Sequence, residues 1–218
     1  MKKHLVWFLI LVILFAALTA AVLKLDLQPI GPEESMVGMA SLNRSARETT
    51  GMEIGAMNQE CYDISEYIGY AALGIAAILS VIWGISFLRK GFFNMTPALR
   101  WLPLVYILGV GCYVLFKELP INFRPVIMEE GLEPSFPSSH TVLAVCVFAS
   151  APVAITALLK RHRISAVVLN TICFAMLLMI ILFRWLSGAH WFTDIIGGIL
   201  LASVFVELYL MLVSGSEE

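Results

Sequence analysis

Long apolar runs separated by short polar segments dominate the pattern along this chain. Each run is close to the ~20 residues that an α-helix needs to cross the hydrocarbon core of a bilayer. We therefore expect an all-α fold, a six-span transmembrane helical bundle. The predicted spans are residues 5–25, 67–88, 98–116, 138–159, 164–184 and 190–213.

Composition agrees with a membrane protein. Of the 218 residues, 60% are hydrophobic and 14% are charged, and the mean hydropathy is +0.88. Soluble domains carry about 25% charged residues, so the apolar excess indicates lipid-facing surface and excludes a soluble enzyme. Of the four cysteines, Cys61 lies in a polar segment and the others lie in apolar runs. Their spacing indicates neither a disulfide framework nor a zinc site.

The pattern divides the chain into four parts. Residues 1–25 form the first span; the alternative is a cleaved signal peptide, although its apolar core would be only about 7–15 residues long. Residues 26–66 are a long polar connection, either short helices on the membrane surface or a simple connecting loop. Residues 67–213 form a core of five spans, and residues 214–218 form a tail.

Lysine and arginine concentrate in three segments that contain no acidic residue: the N-terminus, residues 89–100 and residues 160–163. These segments share one side if the spans alternate in direction, and the positive-inside rule makes that side cytoplasmic. Both termini are then cytoplasmic, and the long first loop faces outward with residues 117–137 and 185–189. Tryptophans at span ends are typical of the interfacial belt; they are Trp101, Trp185 and Trp191.

The segment from Arg184 to Asp194 carries the first candidate chemistry. His190 and Asp194 are four residues apart, so they share one face if they lie on a helix. The carboxylate can then accept from one ring nitrogen and leave the other as a lone-pair donor. Ionisable residues near membrane depth are costly, so a functional role is expected. An ordinary helix start with interfacial charges is the alternative.

Further polar residues on the predicted outward side indicate an anion site. Two histidines, His140 and His190, lie near three cations whose geometry suits phosphate. The cations are Lys117, Arg124 and Arg184. Ser138 can cap the fourth span, and the backbone N–H groups of a helix N-terminus also favour an anion. Taken alone, Ser138 is an ordinary cap and His140 an interfacial histidine.

Three motifs carry a family resemblance. Lys117 is followed after six residues by Arg124-Pro125, the fourth span opens with Pro137-Ser138-Ser139-His140, and Arg184 precedes His190 and Asp194. In order and spacing they resemble the motifs of the type 2 phosphatidic acid phosphatase family, which is related to the vanadium haloperoxidases. The resemblance covers roughly residues 67–213. Two positions depart from the family pattern: Ser139 replaces a glycine and Phe183 replaces a serine.

The resemblance implies a role for each motif residue. His190 is the nucleophile that forms a phosphohistidine, Asp194 orients its ring, and His140 is the general acid for the leaving oxygen. The phosphate-binding residues are Lys117, Arg124, Ser138, Ser139 and Arg184. We expect no metal ion or other cofactor, because the fixed cations supply the electrostatic stabilisation. A zinc site at His140, His190 and Asp194 is the alternative, and the neighbouring cations disfavour it.

The expected function is an integral membrane phosphatase that acts on a lipid phosphate or diphosphate. Phosphatidate, phosphatidylglycerophosphate and undecaprenyl diphosphate are all compatible with the sequence. The expected partners are the phosphorylated lipid and the bilayer, with no nucleic acid. By family analogy the location is a bacterial plasma membrane, with the active site on its extracytoplasmic face. The alternatives are a lipid phosphotransferase with the same intermediate and a non-enzymatic transporter or scaffold; the apolar mid-span positions count against a transporter.

Overall fold

The chain forms a helical bundle in a computed structural model that describes residues 2–216. Within these residues, six helical segments are long and apolar enough to cross a membrane, so the predicted six-span all-α fold is confirmed. The helices are α1 (Lys2–Lys24), α2 (Ala40–Glu48), α3 (Gln59–Lys90), α4 (Pro97–Arg100), α5 (Leu102–Glu118), α6 (Ser139–Leu158), α7 (Arg163–Leu186) and α8 (Phe192–Gly215). The last two residues of the predicted tail, Glu217 and Glu218, lie outside the described residues.

The second span begins earlier than the apolar pattern predicts. Helix α3 starts at Gln59, about two turns before Tyr67. The side chain of Asn58 accepts a hydrogen bond from the Cys61 backbone N–H at 3.0 Å and so caps the helix. A hydropathy pattern registers only the part of a helix that lies in hydrocarbon. The polar first turns of α3 therefore extend beyond the predicted span and carry Glu66 on a helix.

Helices α6 and α8 form the centre of the bundle, and α1, α3, α5 and α7 surround them. The outer helices expose large apolar side chains, which suits contact with lipid. Glycine permits a close approach where α6 begins: a Cβ added to Gly198 would lie 2.9 Å from the Ser138 carbonyl oxygen and 2.9 Å from Thr141 Cβ. This approach fixes the start of α6 against the first turns of α8.

Successive spans alternate in direction, so the starts of α3, α6 and α8 lie at the same end of the bundle as the ends of α1, α5 and α7. We call this the site end. Helix α2 also belongs to it, because α2 packs on α8 and buries Ala40, Asn43 and Arg47. The connection between α1 and α3 is therefore a packed part of the protein rather than a simple linker.

Candidate active site

A cavity of about 330 Å³ opens at the site end. Five of the eight residues that the sequence predicts for the site line this cavity, although they come from α5, the loop after it, α6 and the turn before α8. They are Lys117, Arg124, Ser139, His140 and His190. The fold thus brings all three motifs to one place.

The other three predicted residues, Ser138, Arg184 and Asp194, are completely buried behind the cavity wall. The Ser138 backbone N–H donates to the Asp194 carbonyl oxygen at 2.9 Å, and the Ser138 hydroxyl accepts from Thr141 Oγ1 at 3.0 Å. Ser138 occupies the N-cap position of α6, but its side chain does not cap the helix. In this arrangement it joins the starts of α6 and α8.

The His190 ring faces Asp194 without a hydrogen bond. His190 lies just before α8, and its Nδ1 is 3.6 Å from Asp194 Oδ2, which is too long for a hydrogen bond. That carboxylate oxygen accepts from the Trp191 backbone N–H at 2.9 Å. Neither ring nitrogen of His190 makes a hydrogen bond to any residue between 2 and 216. Burial, aided by the charges of Arg124 and Arg184, lowers the pKa of His190 well below its usual value. The ring is therefore neutral and keeps a lone pair.

The loop of the first motif is attached to the turn that carries His190. Trp191 Nε1 donates to the Phe123 carbonyl oxygen at 2.7 Å. The prediction that Trp191 is an interfacial belt residue is wrong, because only 1% of it is exposed. The neighbouring Arg124 has Nη1 3.5 Å from the Ala189 carbonyl oxygen and Nε 3.0 Å from Glu133 Oε2. These contacts hold the guanidinium group beside the nucleophile candidate.

Arg184 and His140 share a partner that the sequence did not indicate. Arg184 Nη1 donates to Ser65 Oγ and to Glu66 Oε1, both at 2.9 Å. Arg184 Nη2 lies 2.5 Å from His140 Nδ1, and His140 Nε2 lies 3.1 Å from Glu66 Oε1. The sequence assigned Glu66 to the first polar loop. Its position just before the second predicted span, on the same side of the predicted bundle as cations that need a counter-ion, is the signal that could have found it.

Helix α2 supports the nucleophile turn from outside. Asn43 Oδ1 accepts from the Thr193 backbone N–H at 3.1 Å, and Asn43 Nδ2 donates to Thr193 Oγ1 at 3.0 Å. One turn later, Arg47 Nη1 donates to the Gly188 carbonyl oxygen at 2.9 Å. Sequence reasoning missed both residues, because nothing local distinguishes them from other polar residues of the loop.

A histidine without a hydrogen bond, a buried aspartate and several cations thus meet at one cavity of a membrane protein. The chain belongs to the PAP2 superfamily, whose family model matches residues 5–216. Its fold is similar to the crystal structure of a transmembrane PAP2-type phosphatidylglycerolphosphate phosphatase from Bacillus subtilis. The TM-score is 0.63 at 20% identity, over 97% of this chain and 96% of that chain. No curated protein matches the chain. The predicted family is confirmed, and family and fold together support a lipid phosphatase.

Proposed function

We propose that this protein hydrolyses a lipid phosphate or lipid diphosphate through a phosphohistidine at His190. The observation that carries the proposal is the His190 ring, which is buried and without a hydrogen bond inside residues 2–216, at the wall of a cavity that Lys117 and Arg124 also line. An imidazole with a free lone pair beside fixed cations suits attack on phosphorus.

The two chemical steps assign a role to each group. Asp194 faces Nδ1, so Nε2 of His190 attacks phosphorus, a P–N bond forms, and the bond from phosphorus to the leaving oxygen breaks. His140, protonated on both ring nitrogens for this step, gives its Nε2 proton to that oxygen. Water then attacks phosphorus and gives a proton to His140, the P–N bond breaks, and inorganic phosphate leaves, so that both histidines return to their starting state. Asp194 stabilises the positive charge that the His190 ring carries in the intermediate.

Fixed cations make the proposed reaction independent of metal. Lys117 and Arg124 line the cavity, Ser139 can offer its backbone N–H at the start of α6, and Arg184 lies behind His140. Together they can stabilise the charge that develops on the equatorial phosphoryl oxygens. Activity should therefore survive EDTA. Loss of activity to the chelator, restored by added Zn²⁺ or Mg²⁺, would contradict this part of the proposal.

The cavity wall supports an amphipathic substrate. Cys112 and Phe116 of α5 and Val142 of α6 line the cavity beside the cationic wall. A volume of about 330 Å³ suits a headgroup, while the acyl or prenyl chains remain in the bilayer. Phosphatidate, phosphatidylglycerophosphate and undecaprenyl diphosphate each combine a terminal phosphate with such chains.

The decisive experiment measures inorganic phosphate released by the purified protein from these three lipids in mixed micelles, with and without EDTA. We expect release from at least one lipid and inhibition by orthovanadate, which mimics five-coordinate phosphorus. The His190→Ala variant is the control for a contaminating phosphatase. Transfer of the phosphoryl group to an added alcohol in preference to water would make the protein a phosphotransferase instead. No turnover of any lipid would contradict the proposal.

The proposed active face is extracytoplasmic, with both termini cytoplasmic. The basic segments at residues 89–100 and 160–163 lie at the opposite end of the bundle from the cavity. The positive-inside rule assigns basic segments to the cytoplasmic side, so it supports an extracytoplasmic cavity. Cys61 is a partly exposed free thiol at the site end. A membrane-impermeant maleimide should label it in intact cells, with the Cys61→Ser variant as the control. Labelling only after lysis would reverse the orientation.

A further inference from the structure

The Glu66 carboxylate accepts hydrogen bonds from two donors that the proposed reaction needs for its substrate. Its Oε1 atom lies 2.9 Å from Arg184 Nη1 and 3.1 Å from His140 Nε2. Arg184 is assigned to phosphate binding and His140 to protonation of the leaving oxygen. A carboxylate oxygen therefore occupies the point on which both donors converge.

Hydrogen-bond directions define this resting arrangement. A guanidinium group has no acceptor, so Arg184 Nη2 donates to His140 Nδ1, which must then be unprotonated. By this network, the ring proton of His140 is on Nε2 and points to Glu66. The Nε2–H group of the neutral ring is thus directed to an internal carboxylate, and Nδ1 must leave Arg184 and take up a proton before His140 can act as the acid. Arg184 itself is completely buried behind the cavity wall.

The Glu66 side chain can leave this position. It lines the cavity and is 20% exposed, whereas the Arg184 side chain is fully enclosed. Ser65 Oγ, which also accepts from Arg184 Nη1, would hold the guanidinium group in place after Glu66 leaves. An incoming phosphate could therefore take over the donors without unfolding the helix that carries Glu66.

We propose that the Glu66 carboxylate fills an anion subsite formed by Arg184 Nη1 and His140 Nε2, and that a doubly charged phosphate replaces it. The inference rests on the proposed function and adds a specificity determinant to it. A terminal phosphate monoester or diphosphate carries more charge than a carboxylate and can displace it. A phosphodiester carries one charge, so the headgroups of ordinary membrane phospholipids compete with Glu66 poorly. The internal carboxylate thus keeps the abundant phosphodiesters of the bilayer out of the site.

The test compares the wild type with Glu66→Gln, which keeps the shape of the side chain and removes its charge. Isothermal titration calorimetry in detergent measures the affinity of each variant for orthovanadate without requiring catalytic turnover. We expect Glu66→Gln to bind orthovanadate about tenfold more tightly, as expected when a charged competitor is removed from a charge-assisted site. We also expect phosphatidylglycerol, a phosphodiester, to inhibit hydrolysis by the variant and to leave the wild type unaffected.

Two controls separate charge from structure. Glu60→Gln removes the same charge from the exposed start of α3 and should not change orthovanadate affinity. Ser65→Ala removes a neutral acceptor from Arg184 and should not increase affinity either. Equal or weaker binding by Glu66→Gln would overturn the inference, because Glu66 would then position Arg184 and His140 rather than compete with phosphate.

A second variant covers a folding failure of Glu66→Gln. Glu66→Asp keeps the charge but shortens the side chain, which weakens the bonds of the carboxylate to Arg184 and His140. Its orthovanadate affinity should therefore exceed that of the wild type and stay below that of Glu66→Gln. If the Glu66→Gln variant does not fold, the comparison with the wild type is sufficient. An affinity at or below that of the wild type would count against displacement. If the wild type hydrolyses no lipid phosphate but the affinities for orthovanadate change as expected, the proposed activity is wrong and the proposed subsite is supported. If it hydrolyses lipids and the shifts are absent, the subsite alone is wrong.

Discussion

The two ends of the bundle treat charge in opposite ways. At the site end, Arg184 and Asp194 are completely buried and Arg47 is 6% exposed. At the opposite end, most basic residues are exposed; they include Arg89, Lys90, Lys160 and Arg161. A pair between α1 and α8, His4 Nδ1 with Glu207 Oε2 at 2.8 Å, also lies there, and both of its side chains are more than a fifth exposed.

This difference shows where the chain accepts an energetic cost. A buried charge is expensive unless it is paired and hydrogen-bonded, and removing one partner of a buried pair costs about 3–5 kcal/mol. An exposed pair contributes about 0–1 kcal/mol. The site end therefore maintains Arg184, Glu66 and His140 in a costly network that stability alone does not require. The opposite end tolerates changes of charge, and variants at the two ends should differ accordingly.

The largest effect is expected for His190→Ala. Turnover should be abolished while folding is unchanged, because the ring makes no hydrogen bond within residues 2–216. His190→Asn should not restore activity, since an amide is not a nucleophile at phosphorus. Phosphate release and size-exclusion chromatography measure the two properties. A folded variant that retains more than a few per cent of the activity would remove His190 from the nucleophile role.

His140→Ala should have the next largest effect, and the loss should depend on the leaving group. A lipid alkoxide needs a proton and p-nitrophenolate needs it much less, so kcat/KM should fall about 10²–10⁴-fold for the lipid monoester and distinctly less for p-nitrophenyl phosphate. His190→Ala should affect both substrates alike. An equal loss for His140→Ala on both substrates would make His140 a phosphate binder rather than the acid.

Asn43→Ala should have a smaller effect, on stability first. The change leaves the buried Thr193 N–H without its acceptor, which should cost about 1–2 kcal/mol, as the loss of a helix cap does. Activity should fall as well, because Asn43 supports the start of α8 beside His190. Thermal unfolding in detergent measures the first effect. Arg44→Ala, on the exposed side of the same helix, is the matched control, and equal destabilisation by both variants would remove the special role of Asn43.

The smallest effect is expected at the opposite end. Glu207→Gln removes the charge that faces His4, and the free energy of unfolding should change by no more than about 1 kcal/mol, because the pair is partly exposed. Hydrolysis of the lipid substrate should be unchanged. A loss of stability as large as that of Asn43→Ala would show that the two ends do not differ as described.

Local sequence patterns were sufficient for the spans and the motifs. Apolar run length predicted six helices, and motif spacing predicted that His190 faces Asp194. The same spacing did not indicate that His190 precedes α8, because a periodicity cannot locate the first residue of a helix within a turn. Phe183, which departs from the family pattern, packs against the apolar core, and no site role was assigned to it.

The missed residues share one property, which is that their partners are distant in sequence. Glu66 pairs with Arg184 across 118 positions, and Arg47 bonds the Gly188 carbonyl across 141 positions. Asn43 reaches Thr193 across 150 positions. Propensity and hydropathy describe neighbours along the chain, so they cannot indicate which polar loop residue will be buried. Only the packing of α2 and α3 against the ends of α7 and α8 brings these pairs together.

Asp194 and His190 should be retained to different degrees in relatives that have lost their catalytic activity. The Asp194 carboxylate accepts from the Trp191 backbone N–H at the start of α8, so a relative that had lost all catalysis would still gain stability from an acceptor side chain at this position. His190 has no such duty. An inactive descendant, a pseudoenzyme, would therefore be expected to keep the aspartate and to lose the histidine. In a genome survey, residue 190 and not residue 194 would distinguish working enzymes from retained scaffolds.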